Sequence, residues 1–218
     1  MRKKDIINFI ELLKNAYPDA GCSLNFTTPF ELVTAVALSA QCTDERVNKI
    51  TPTLFSRCLT IQDFANINIQ ELEEIIHPCG FYRNKSKNIK LCAKQVLENF
   101  NGKVPNTMEE LVTLAGVGRK SANVILLEVF DIAEGIAVDT HVKRISNLIG
   151  LSKEKEPEKI EQDLLKLIPK NHLKDVNHLF IYHGRNTCVA RSPKCEKCCI
   201  NTYCNHFKTS FETLGTEV

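Results

Sequence analysis

The sequence has few residues that break or loosen regular structure: of 218 residues, 9 are glycine and 8 are proline. This shortage excludes collagen-like sequence and long flexible linkers. No apolar run approaches the roughly 18 residues of a membrane-spanning helix, so we expect no contact with a membrane. The chain also lacks internal repeats of the solenoid type and low-complexity segments.

Neither sign of charge predominates, because the chain has 28 lysines and arginines and 26 aspartates and glutamates. The net charge of +2 predicts no indiscriminate attraction to polyanions, so any binding of nucleic acid must come from local placement of charge. The basic start, MRKKDIINFIELLKNAY, has charged residues in helical rhythm and lacks the continuous apolar stretch of a secretory signal. We therefore expect a cytoplasmic protein, and we expect it to be a monomer.

Sequence patterns typical of α-helices occur along most of the chain. Apolar residues make up 43% of it and recur at helical spacing, with almost no alternation of period two. Capping boxes at Thr28 and Thr107 each open a helix, the second running through Leu114, and Asn68 opens another. The helix over 30–41 is apolar nearly all round, which predicts a central, buried position. The predicted fold class is all-α, with about ten helices.

One predicted helix, over 84–100, carries a row of positive charge. Its basic side chains recur at steps of four, three and four residues and therefore share one face: Arg83, Lys87, Lys90 and Lys94. Such a face is either solvated or a contact for the phosphates of DNA.

Residues 108–130 predict two apolar-faced helices around a glycine turn, Gly116-Val117-Gly118. Two glycines permit a tight turn with positive φ and a close approach to another molecule. Backbone N–H groups at the start of the second helix have no partner within it and are able to hold a phosphate oxygen. The turn alone also fits an ordinary helix–helix corner. The basic pair that follows it favours an anion: Arg119 and Lys120.

Ten cysteines are many for a reducing compartment, and five of them fall within residues 188–204. Four of these have the spacing C-x6-C-x2-C-x5-C and provide enough thiolates for one metal centre: Cys188, Cys195, Cys198 and Cys204. Spacing alone leaves structural zinc and an iron–sulfur cluster both open, with disulfides a weaker alternative. We expect Cys199 to be a spare or packed thiol.

In this order and at this spacing, the motifs resemble the helix–hairpin–helix superfamily of DNA glycosylases and, within it, the endonuclease III family. The resemblance runs from LNFTTPFELVTAVALSAQ through LAGVGRKSANV and VDTHVKRISN to the cysteine spacing. It implies two helical domains with a DNA-binding cleft between them. The six-helix domain covers 23–134 and includes the hairpin; the cluster domain consists of 1–22 and 135–204. We expect 205–218 to be a weakly ordered tail.

The resemblance also implies a cofactor, a reaction and a partner. In that family the four cysteines hold one 4Fe–4S cluster, which favours the cluster over zinc. Its members are bifunctional enzymes of base excision repair: DNA glycosylases that remove oxidised pyrimidines, with an associated lyase activity at apurinic or apyrimidinic (AP) sites. The implied partner is double-stranded DNA with damaged bases or abasic sites. A bacterial member would lie in the cytoplasm at the nucleoid.

Position by position, the resemblance makes Lys120 the nucleophile and Asp139 the assisting carboxylate. Gln41 would fill the gap left by an extruded nucleotide, and Phe81 stands where the family has a leucine-like wedge. The family commonly has proline at the position of Ala115, so we expect a slightly looser turn. The full set implied to contact DNA is Gln41, Phe81, Gly116, Val117, Gly118, Arg119, Arg144, Arg185, Arg191 and Lys194.

For both Lys120 and Asp139, a simpler, non-catalytic role also fits the sequence. A lysine with an ordinary pKa is protonated at pH 7 and cannot attack a sugar carbon. We therefore expect Lys120 to be buried in the cleft against the helix over 30–41; otherwise it is a cation on a phosphate or in solvent. Asp139 also fits a helix N-cap, a role compatible with catalysis. We expect an N-cap role for Asp44 and a structural role for His141.

Two other functions remain open. Adenine-specific mismatch glycosylases of the same superfamily resemble this chain through the cysteine motif but lack a lysine at the position of Lys120. A module that only docks on DNA would need the hairpin and the cysteine motif, but neither Lys120 nor Asp139. The presence of both side chains favours the bifunctional enzyme.

Overall fold

The computed structural model describes residues 2–212, which form helices joined by short turns. Within this range there are twelve α-helices, four 3₁₀ turns and no strand, so the all-α prediction is confirmed with more helices than expected. The α-helices are α1 (Lys3–Ala16), α2 (Pro29–Ser39), α3 (Asp44–Arg57), α4 (Ile61–Asn66), α5 (Ile69–Ile76), α6 (Tyr82–Asn99), α7 (Met108–Leu111), α8 (Arg119–Phe130), α9 (Thr140–Ile149), α10 (Pro157–Leu167), α11 (Leu173–Asn186) and α12 (Asn205–Glu212). The 3₁₀ turns are His77–Cys79, Lys170–His172, Cys195–Lys197 and Asn201–Tyr203.

The chain divides into two compact units. The middle unit comprises Cys22–Ile132, and the terminal unit combines the residues on either side of it. Each unit has its own apolar core, so each buries its helices independently. The sequence placed the limits of the first domain at 23 and 134. No helix in the described part of the chain has both the length and the apolar character needed to cross a membrane.

The middle unit is built around α2. The predicted capping box is present: the Thr28 hydroxyl accepts from the N–H of Glu31, and the Glu31 carboxylate accepts from the N–H of Thr28. Eight of the eleven residues of α2 are buried, and the helix packs against α3, α6 and α8. A helix that is apolar nearly all round must be enclosed, which explains the central position predicted for it.

One helix end and one helix start differ from expectation. Thr107 caps α7 as predicted, but this helix ends at Leu111 instead of Leu114, and the chain continues in turns. The N-cap role expected of Asp44 is wrong. The cap of α3 is Thr43, whose hydroxyl accepts from the N–H of Arg46, and Asp44 is the first helical residue. An acidic residue there still favours the positive end of the helix dipole. The predicted cap at Asn68 is confirmed.

In the terminal unit, α11 packs against α1 and α9. Phe9 and Phe180 are fully buried there, with ring centroids 6.4 Å apart. The tail expected from residue 205 onward is wrong for its first part, because Asn205–Glu212 is helical. This helix packs on α9, and its Asn205 side chain occupies the place where a Cβ of Gly150 would be. Residues 213–218 lie outside the described range.

Candidate functional site

The glycine turn leads directly into α8. Gly116 has a φ of +81°, a left-handed conformation that favours glycine. Val117 is buried and donates its N–H to the carbonyl of Leu114, which anchors the turn to the core. Gly118 occupies the cap position of α8 with an extended backbone and no capping side chain. In general, a helix start without a capping side chain is suited to binding an external anion through its backbone N–H groups.

A side chain of α6 restrains the same turn. The N–H of Ala115 donates to Oε1 of Gln95 at 2.7 Å, and Nε2 of Gln95 donates to the carbonyl of Thr113 at 3.3 Å. Proline has no N–H and would not make the first of these bonds. The looser turn expected from Ala115 is therefore offset by a hydrogen bond that the sequence did not reveal.

Lys120 is the second residue of α8 and is exposed. Its expected burial against the helix over 30–41 is wrong. The buried face of α8 carries Ala122, Ile125 and Leu126, whereas Lys120 lies two residues before Ala122 and so points away from that face. Its neighbour Arg119 is exposed as well.

Asp139 is held firmly at the start of α9. Its Oδ1 accepts from the N–H groups of His141 and Val142 at 2.9 and 2.8 Å, which confirms the expected N-cap. Its Oδ2 lies 3.0 Å from Nδ1 of His141, so the structural role expected of this histidine is confirmed too. The Asp139 side chain is only 17% exposed. Three hydrogen bonds thus fix the direction of a nearly buried carboxylate.

Gln41 and Phe81 share an unusual backbone. Both have positive φ, +55° and +47°, a region that costs free energy for residues other than glycine. Gln41 follows the C-terminal end of α2, and Phe81 is the cap of α6. Gln41 is exposed, as is Phe81, whose ring is a large apolar group with 65% of its surface in solvent. Strain and exposure of this kind are typical of functional positions.

The basic residues differ in their surroundings. The guanidinium of Arg144 donates to the carbonyls of Gly184 and Cys188, and Lys194 donates to the carbonyl of Asn186. Arg185 and Arg191 are exposed. On the predicted basic face of α6, Arg83, Lys87 and Lys94 are exposed, whereas Lys90 is half-buried and donates to the carbonyl of Ile67.

The four predicted metal ligands border one cavity of the terminal unit. It is lined by Cys188, Cys195, Cys198 and Cys204 together with apolar side chains that include Ile145, Ile149 and Ile200. Cys199 is exposed and does not line it. Among residues 2–212, no group of three or more His, Cys, Asp or Glu side chains is arranged to hold a single metal ion.

Burial governs the protonation of these thiols. It raises the pKa of Cys198 to about 11 and raises the pKa values of Cys188 and Cys195 in the same direction. Without a metal, the thiols of Cys188, Cys195 and Cys198 are therefore uncharged at pH 7, and a bound metal centre must displace their protons. Two of them already have protein partners: Cys204 Sγ lies 3.4 Å from the carbonyl of Leu148, and Cys198 Sγ lies 3.6 Å from Nε2 of His183.

His183 lies in the same region and is buried. Burial, together with the charge of Arg144, lowers its pKa to about 4, so its ring is neutral at pH 7. Nδ1 lies 3.0 Å from the hydroxyl of Tyr17, which also bonds to Thr187. The only sequence signal was its position on the last long helix, five residues before Cys188.

Comparison with known proteins identifies the family. The profile of the HhH-GPD superfamily, described as base excision DNA repair proteins, matches residues 34–170. An endonuclease III of Synechocystis is 49% identical over 203 residues, which cover 93% of each chain. The chain belongs to the endonuclease III family. Members of this family are in general iron–sulfur proteins.

Two solved structures of endonuclease III have this fold. One is a non-covalent complex with DNA and the other a trapped covalent intermediate with DNA. Each is 39% identical, with a TM-score of 0.89, and the match covers 97% of this chain and 99% of theirs.

The two hairpin glycines should respond differently to alanine. A Cβ on Gly116 would lie 3.1 Å from Cβ of Asn88 and force alanine into positive φ, whereas one on Gly118 would meet no atom within 4 Å. We expect Gly116→Ala to destabilise the protein by about 1–3 kcal/mol and Gly118→Ala to change stability by less than about 1 kcal/mol. Urea or thermal unfolding measures both; equal losses would contradict the hairpin geometry.

Proposed function

We propose that the protein is a DNA glycosylase and AP lyase of base excision repair that removes oxidised pyrimidines from duplex DNA. The observation that carries this proposal is an exposed lysine, Lys120, in the first turn of α8 directly after the glycine hairpin. A solved relative supports it, since an endonuclease III was trapped in a covalent intermediate with DNA. Acting on DNA, the enzyme would work at the nucleoid in the cytoplasm.

Lys120 is proposed to be the nucleophile. Its neutral amine attacks C1′ of the damaged nucleotide, the glycosidic bond breaks, and the base leaves with a proton. The C1′–O4′ bond then breaks as the nitrogen loses a proton and O4′ gains one, which opens the sugar ring and leaves an imine. The imine acidifies the C2′ protons, and loss of one expels the 3′ phosphate, which breaks the strand. Because Lys120 is exposed, its amine is accessible to a nucleotide bound at the start of α8.

Asp139 is proposed to assist base release. A carboxylate stabilises positive charge that develops at C1′, and it accepts a proton from an attacking amine. Its hydrogen bonds to the N–H groups of His141 and Val142 hold the carboxylate in one orientation. The Asp139 side chain therefore has two roles: it caps α9, and it is held in place for the proposed chemistry.

The remaining predicted contacts divide by type. The hairpin, with Gly116, Val117, Gly118 and Arg119, is proposed to grip a phosphate through backbone N–H groups, a contact that positions DNA without reading its sequence. Gln41 and Phe81 are proposed to enter the duplex where the damaged nucleotide is extruded. The basic residues proposed to contact phosphates from the terminal unit are Arg144, Arg185, Arg191 and Lys194.

One 4Fe–4S cluster is proposed to be held by Cys188, Cys195, Cys198 and Cys204. The donor set fits, because four soft thiol ligands line one cavity with apolar walls. A bound cluster would supply cross-links that fix the loop of residues 188–204. Arg144 already ties this loop to α9 through the carbonyl of Cys188.

The first test concerns Lys120. On a duplex with one oxidised pyrimidine, borohydride should trap a covalent adduct of the wild type, because it reduces the imine. Lys120→Gln should abolish trapping and strand cleavage while the dissociation constant for DNA changes by less than about fivefold. Lys49→Gln, which alters an exposed lysine paired with Glu45, is the matched control and should trap normally. Persistent trapping in Lys120→Gln would rule out this nucleophile.

The second test separates the two roles of Asp139. Asparagine is as good an N-cap as aspartate, so Asp139→Asn keeps the cap and removes the charge. We expect the unfolding temperature to be preserved and single-turnover base release to slow by about 100-fold or more. Asp139→Ala should in addition lose about 1 kcal/mol of stability. Near-normal base release in Asp139→Asn would remove the proposed role.

The third test concerns the cysteines. Protein purified without oxygen should contain about four iron and four sulfide ions per chain. Of two adjacent cysteines, Cys198→Ser should lose the cluster and its absorbance, because Cys198 lines the cavity, whereas Cys199→Ser should retain both. Stoichiometric zinc in the wild type, or loss of iron in Cys199→Ser, would contradict the assignment.

A further inference from the structure

Lys85 is a buried cation that the proposed reaction does not use. It lies on α6 with 7% of its surface exposed. Its ammonium donates to the carbonyl of Leu38 at 2.8 Å and to the carbonyl of Cys79 at 2.9 Å. Burial lowers the pKa of Lys85, so the fold holds this amine despite an unfavourable environment for its charge.

The two carbonyls belong to the segments that carry Gln41 and Phe81. Leu38 is in the last turn of α2, three residues before Gln41, and Cys79 ends the 3₁₀ turn two residues before Phe81. Burial, together with the nearby thiol of Cys42, raises the pKa of Cys79 to about 11, so these two segments also lie close together at their cysteines. One ammonium thus connects the supports of two exposed side chains with strained backbones.

The Lys85 bridge restrains both segments at once. The last carbonyls of a helix lack partners within it, and a lysine that binds one of them also matches the negative end of the helix dipole. Without the amine, two carbonyls in a buried environment would lose a donor, and the Leu38 and Cys79 segments would move relative to each other.

We propose that Lys85 is a positioning residue that fixes the spacing between Gln41 and Phe81, so that both side chains enter damaged DNA together. This inference rests on the proposed function. Binding groups held in place before DNA arrives have less freedom to lose when it binds. Lys85 itself touches no reacting atom; it acts through the two segments that it joins.

This role predicts a difference between two substrates. A damaged base in a duplex must be unstacked and extruded before its glycosidic bond is broken, which requires energy from the residues that enter the duplex. A preformed abasic site has no base to extrude. Loss of the bridge should therefore slow base excision much more than strand cleavage at an abasic site.

The experiment compares Lys85→Met with wild type on both substrates, with rates normalised to the trappable fraction of enzyme. We expect base excision to fall by about tenfold or more and cleavage at the abasic site to change by less than about threefold. Lys49→Met, on an exposed lysine of α3, is the matched control. Equal losses on both substrates would overturn the proposal. If Lys85→Met does not fold, Lys85→Arg is measured instead, because arginine displaces the N–H donors from the two carbonyls. The measured quantity is again the loss in base excision relative to the loss in cleavage at the abasic site.

A second comparison excludes a merely structural role. In the Gln41→Ala/Phe81→Ala background, adding Lys85→Met should reduce excision by less than about twofold further, because the residues that it positions are gone. A full additional loss would show that Lys85 acts elsewhere. If the wild type itself forms no trapped adduct, the proposed function fails instead, so the two failures are distinguishable.

Discussion

The start of a helix has more hydrogen-bond donors than acceptors, and at α8 the capping residue is a glycine with no side chain to balance them. In the proposed complex, the phosphates of duplex DNA would supply acceptors for these donors. The same turn places Lys120 in the first turn of α8. The proposed phosphate contact and the position of the proposed nucleophile are therefore set together, since both depend on where α8 begins.

Much of the fold was predictable because its signals are local. A capping box acts over four residues, so the starts at Thr28 and Thr107 were visible in the sequence. Helix ends and the C-terminal helix could not be predicted from the sequence, because they depend on contacts between residues far apart in the chain. Asn205 packs where Gly150 lacks a side chain, a contact between residues far apart in the chain that no local pattern announces.

The candidate site divides in the same way. Motif positions such as Lys120, Asp139 and the four cysteines came from the sequence and its resemblance to a family. The surroundings of those positions did not: Lys120 proved exposed, and His183 proved buried and neutral. The role of Lys85 was missed because it depends on hydrogen bonds to the carbonyls of Leu38 and Cys79, and only tertiary packing brings these carbonyls within reach of its ammonium. Every residue has a backbone carbonyl, so the sequence does not show which carbonyl will accept a hydrogen bond from a given side chain.

The hydrogen bond from Ala115 to Gln95 changes what keeps the hairpin in shape. A proline ring stiffens a turn by limiting the unfolded chain, and this effect persists whatever the neighbouring helix does. A hydrogen bond restrains the turn only while its partner is in place. In this chain the rigidity of the hairpin proposed to bind phosphate therefore depends on α6, and local opening of that helix would loosen a loop about twenty residues further along the chain.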